Sequence, residues 1–203
     1  MTFGTFFWRV TSSHMISYFI MGIIASSLLN YQKAFETPPL SYFMRPTDSP
    51  WVAAGPMLQV IRGLIFSVVL WIFKDIFLFK KYGWLKLWGL LVGLSILSTT
   101  GPAPGSIEGM IYTKIPLVNQ LKGYLEVVPQ TLLFSVYLFY WYKKPKKIWN
   151  IVSIILISIL GFFCIMGFLA ALEIIKIART PNNVYNPLLV NDMRMSALFF
   201  NLW

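Results

Sequence analysis

The sequence holds one cysteine, one histidine and only seven aspartate and glutamate residues among 203, and each shortage removes a class of chemistry. A single thiol, Cys164, excludes an internal disulfide. Lying inside an apolar run, it reads as a small packing residue. One histidine and one cysteine cannot build a common zinc site, and no H-E-x-x-H pair occurs, so neither a metal nor another cofactor is expected. The G-x-S-x-G elbow, the Walker loop and a paired G-x-G-x-x-G are missing as well. The glycine-rich stretch TGPAPGSIEG has no preceding strand and no following Gly-Lys-Ser, which makes it a poor phosphate cradle. Charged residues make up 12% of the chain, with a net charge of +10. No basic patch is interleaved with exposed aromatics on a soluble segment, so nucleic acid is not an expected partner.

What the sequence has in abundance is apolar surface. It is 57% hydrophobic and 17% aromatic, with a mean hydropathy of +0.67, well above the range of water-soluble domains. The first expected partner is therefore the lipid bilayer. Five apolar runs, at about 15–29, 56–73, 84–99, 125–141 and 148–175, stand against the roughly 20 residues that a spanning helix needs. The expected fold is all-α: a single polytopic integral membrane helix bundle of about five transmembrane helices, with two Pro/Gly-rich outer loops, 31–55 and 101–124, forming a cap. The first run also resembles a secretory h-region, since Arg9 precedes it and Ala25, Ser26 and Ser27 close it. The final stretch 196–203 is too short to span and reads as interfacial.

Lysine density sets the orientation. Lys74, Lys80, Lys81 and Lys86 crowd one connection, and Lys143, Lys144, Lys146 and Lys147 crowd another. With Arg9 they mark the cytoplasmic side, which predicts a multi-pass cell-membrane protein with its N-terminus inside and its C-terminus outside. Of twelve prolines, eight fall in the two outer segments or at Pro56, so irregular backbone concentrates on one face. Two readings of these loops stand side by side. They are interfacial connectors anchored by residues such as Tyr42 and Trp51, or they fold over the helix ends and form a pocket.

Polar residues within the helices favour the pocket. Arg62 lies within the second run, and intramembrane charges normally face a partner or a wet cavity. Gln59, Arg62, Gly63 and Ser67 share a helical face by spacing, as do Glu126 and Gln130 on the fourth run. Arg62 and Glu126 are the expected ion pair, with a ligand-gripping arginine and a snorkelling one as alternatives. The candidate ligand-binding set is thus Arg45, Arg62, Glu126, Gln59 and Gln130. His14, beside Ser12 and Ser13, reads as an interfacial hydrogen-bonded histidine rather than a proton shuttle. Small residues at Gly89 and Gly93, and at Gly167 and Ala171, predict helix packing.

Three function classes follow, in this order. The first is a binding or accessory protein for a small anionic ligand, a lipid headgroup, or a partner membrane subunit or second copy. The second is a membrane enzyme acting at the outer interface on a lipid-linked substrate, with Glu108, Glu126 and Asp48 as candidate catalytic carboxylates. The third is a small transporter or channel component, against which stands the absence of a detectable inverted repeat.

Overall fold

Asn30 divides the first two helices, and its conformation shows why. It adopts the left-handed region (φ 47°, ψ 62°), which asparagine tolerates better than other non-glycine residues, and its N–H donates to Ser26 O to close the preceding helix. Its side chain then accepts from Lys33 N and opens the next one. In the computed structural model, which describes residues 2–42, 44–97 and 103–179 (side chains through 172), this pattern extends into an all-helical chain. The helices are α1 (Phe3–Leu29), α2 (Tyr31–Glu36), α3 (Pro50–Lys74), α4 (Gly83–Leu97), α5 (Ile107–Tyr112), α6 (Leu117–Lys122), α7 (Tyr124–Lys143) and α8 (Lys147–Arg179). A 3-10 turn at Leu40–Tyr42 precedes α3, and a π-helical turn at Asp75–Phe79 continues it. The interfacial stretch expected at 196–203 lies outside the described residues.

Among the described residues, three helical segments are long and apolar enough to cross a membrane: Phe3–Leu29, Pro50–Phe79 and Lys147–Leu172. The other two expected spans differ for separate reasons. α4 has 15 described residues, about 22 Å at 1.5 Å per residue against a ~30 Å hydrocarbon core. α7 has 20 residues, but Glu126, Gln130, Thr131 and several tyrosines dilute its apolar character. Helix starts also move. α1 begins at Phe3 rather than near Met15, because Thr2 caps it by accepting from Thr5 N. α3 begins at Pro50, whose missing N–H costs nothing at a first helical position. Half of the proline-rich stretch 41–57 is thereby helix.

α1 is the central element, packed against α3, α7 and α8, while α4 lies on α7 and α8 also lies on α3. The main core gathers Phe6, Val10, Leu70, Phe77, Leu78, Leu87, Phe134 and Leu138, and a smaller one gathers Met15, Leu160 and Cys164. Gly63 permits the close α1–α3 approach, since a Cβ there would lie 2.8 Å from Thr11 Cγ2 and 2.9 Å from Thr11 Cα. On α8, Leu160, Cys164, Gly167 and Ala171 form a buried stripe. Gly89 and Gly93, by contrast, meet nothing within 4 Å among the described residues, so no described helix packs on them.

Candidate functional site

The polar residues collect along α1. From Arg9 to Ser17 every residue is buried, although Arg9, Thr11, Ser12, Ser13, His14 and Ser17 are all polar. A helix that is polar around its whole circumference must satisfy those groups from neighbouring helices. His14 Nε2 donates to Gln59 Oε1 of α3 at 3.2 Å, and its ring meets Phe66 edge-on at 5.0 Å. Thr11 and Ser67 pair their hydroxyls at 3.4 Å, and Ser67 donates to Gly63 O at 2.7 Å. Nearer the N-terminus, Arg9 donates to Trp141 O at 3.5 Å and lies 5.8 Å from the Trp141 ring. Ser12 Oγ, Ser13 Oγ, Ser135 Oγ, Arg9 Nε and Trp141 Nε1 are buried without a partner among the described residues.

At the other end of the seam, Tyr31 donates to the carboxylate of Glu126. Local structure presets this bond: Tyr31 is the first residue after the Asn30 turn, and Phe35 stacks on it one helical turn later, 5.1 Å away. Burial pushes the Tyr31 hydroxyl well above the ordinary phenol range, and the hydrogen bond and negative charge of Glu126 push it further. Tyr18, one turn beyond His14 on α1, lies within electrostatic reach of both Glu126 and Arg62.

Arg62 and Glu126 do not form the expected ion pair. The carboxylate is engaged by Tyr31, and Arg62 projects from the exposed side of α3 among Ile61, Leu64 and Ile65. Its α-carbon lies about 18 Å along α3 from Pro50, deeper than a helix start at Pro56 implied. Gln59 joins His14 rather than a ligand-facing row with Arg62. Arg45 is exposed, with its guanidinium 5.9 Å from the Trp51 ring. Glu108 is exposed in the first turn of α5, Asp48 is half-buried just before α3, and Gln130 is half-buried one turn past Glu126. Of the sequence-derived candidates, then, Gln59, Arg62 and Glu126 border the seam, while Arg45 and Asp48 lie on the connection before α3 and Glu108 lies on α5. No group of three or more His, Cys, Asp and Glu side chains that could hold a metal occurs among the described residues.

The second proline-rich segment is folded around one side chain. Gln120, 3% exposed, donates to Gly109 O (3.2 Å), Ile115 O (3.0 Å) and Thr113 Oγ1 (3.4 Å) and accepts from Gly105 N (3.2 Å). Tyr124 adds a bond to Gly105 O. Sequence reasoning missed Gln120, Tyr18 and Tyr31. It also placed His14 at an interface, whereas the residue is 3% exposed inside the bundle. The available signal was RVTSSHMIS, in which polar residues fall on every face of a helix otherwise flanked by apolar sequence.

No family, no curated protein and no solved structure matches the chain.

Proposed function

We propose that this is a multi-pass cell-membrane protein, crossing the bilayer with α1, α3 and its π-helical extension, α4, α7 and α8, that binds an oxyanion at Arg62 as a non-catalytic binding or accessory subunit. The observation that supports it is Arg62 itself: a guanidinium on an apolar helix face, with no carboxylate partner among the described residues, while the nearby Glu126 is held by Tyr31. An arginine at membrane depth is expensive unless it meets a partner, and its planar fork suits a carboxylate or phosphate. The oxyanion would belong to a small ligand, a lipid headgroup or an acidic side chain of a partner subunit or second copy.

Membrane placement draws support from the outward faces of α3, α4 and α8. They expose Ile61, Ile65, Ile72, Leu90, Leu94, Ile154 and Phe162, apolar side chains that water would penalise. Lys143 Nζ donates to Phe79 O at 2.9 Å, which brings the two lysine-dense connections to one end of the bundle. That end would be cytoplasmic, with the Tyr31–Glu126 bond, the folded 103–124 segment and the C-terminus outside. The two outer segments would flank the entrance to Arg62 as a cap.

Native mass spectrometry of the protein gently extracted from its own membrane tests the proposal. The wild type should carry an anionic adduct or an acidic subunit that Arg62→Met loses and Glu126→Gln keeps. Retention of the full wild-type complement of anionic adducts and subunits by Arg62→Met would refute it.

A small-solute or proton path is the second reading, favoured by the hydroxyls of Ser12, Ser13 and Ser135, which have no partner among the described residues and lie beside His14. Flux into sealed vesicles that disappears in His14→Phe would support it over simple binding.

A further inference from the structure

The α7–α8 connection is three residues long, Lys144 to Lys146, short enough to lay the two helices side by side as a hairpin. They pack elsewhere instead, α7 on α1 and α4, α8 mainly on α3. Where they part, a groove of about 410 Å³ opens. Leu133, Val136 and Ile148 give it aliphatic walls. Tyr137 braces its interior, bonded through its hydroxyl to Ser153 Oγ at 3.1 Å and set edge-on against Trp149 at 5.3 Å. Lys144 and Lys146 stand at the end of the groove beside the turn.

The geometry points to a built site for one anionic glycerophospholipid of the lysine-side leaflet, its acyl chain along the α7–α8 groove and its phosphate at Lys144 and Lys146. From Leu133 to Lys144 the helix rises about 16 Å, close to half of the ~30 Å hydrocarbon thickness. The groove is therefore one leaflet deep and has its cations at one end only. A protein partner would require no such polarity, whereas a lipid has the same one: a long apolar part and a single anionic head. Basic pockets between helices on the cytoplasmic side hold anionic headgroups by this arrangement. The site is separate from Arg62 and rests on the membrane placement proposed above, which can fail independently of it.

The test uses purified full-length protein in detergent, titrated with dioleoylphosphatidylglycerol or dioleoylphosphatidylcholine and read by native mass spectrometry. One phosphatidylglycerol should remain bound at voltages that strip phosphatidylcholine. Lys144→Ala/Lys146→Ala should lower its occupancy at least fivefold, and Val136→Trp, which fills the groove with both lysines intact, should do likewise. Lys80→Ala/Lys147→Ala removes equal charge at the same end outside the groove and should leave occupancy unchanged, as should Arg62→Met. Equal retention of the two lipids, an unchanged occupancy in the lysine or Val136 variant, or an equal loss in the Lys80/Lys147 control would overturn the site. A groove closed by a second copy would appear as a lipid-free dimer, which also overturns it. Retention of the chain in carbonate-washed membranes reports the membrane placement separately.

Discussion

Replacing Tyr31 by Phe removes the only hydrogen-bond donor to Glu126 among the described residues. Both residues are half-buried, so the carboxylate left behind is neither fully solvated nor paired. A hydrogen bond to a charged group contributes about 1.5–3 kcal/mol, and the partial exposure of both partners places Tyr31→Phe near the lower figure, about 1.5 kcal/mol. Glu126→Gln keeps an amide oxygen that can still accept from Tyr31 but loses the charge, for a cost of about 1 kcal/mol. In the double variant the second loss should be smaller than alone, giving a coupling above about 0.5 kcal/mol, the usual mark of residues in contact. The assay is reversible unfolding in mixed micelles of the wild type, both single variants and the double variant. A parallel cycle with Arg62→Met and Glu126→Gln should be additive within about 0.5 kcal/mol. Additivity for Tyr31 with coupling for Arg62 would refute the assignment and restore the ion pair.

Tyr31 also predicts a pH limit: burial first, and then the bond to and charge of Glu126, raise it above the ordinary value of 10.0, so the contribution of its neutral form is complete below about pH 10 and is lost as pH rises beyond it. Tyr31→Phe should flatten that part of a stability–pH curve. Gly63→Ala should cost about 1–3 kcal/mol by forcing α1 and α3 apart at Thr11, whereas Gly89→Ala, facing open space, should be neutral or stabilise by up to about 1 kcal/mol, both by unfolding midpoint. Gln120→Ala leaves Gly105 N and Ile115 O without their partner and should cost about 1–3 kcal/mol, visible as faster hydrogen exchange confined to 103–124. Ser135→Ala deletes a buried hydroxyl with no partner among the described residues and should stabilise by about 1 kcal/mol.

Helix content and the apolar outer faces were legible because composition and run length report directly on them. The ends of the helices were less so. Thr2 caps α1 and Pro50 opens α3 at its first position, both well before the apolar runs begin, and such local signals are ones that hydropathy ignores. The site was legible by residue type and not by pairing. Arg62 and Glu126 stood out as charges in apolar sequence, but opposite charge alone does not choose partners. A tyrosine 95 residues upstream reached Glu126 first, because the Asn30 turn and the Phe35 stack aim it there. Arg9 read as a topology marker, yet it is buried against Trp141. Gln120 gave no sign at all, since nothing in a proline-rich loop says which amide will collect its backbone groups.

One measurement bears most directly on a membrane bundle with lysine turns on one side and the Arg62 cluster opening toward the other. In a Cys164→Ala background, single cysteines are placed at Lys80, Lys144, Thr47 and the exposed Glu108 and challenged with an impermeant thiol reagent in intact cells. Cysteines at 47 and 108 should react and those at 80 and 144 should resist until the membrane is opened. Labelling with the opposite sidedness, or equal labelling at all four positions, would contradict it.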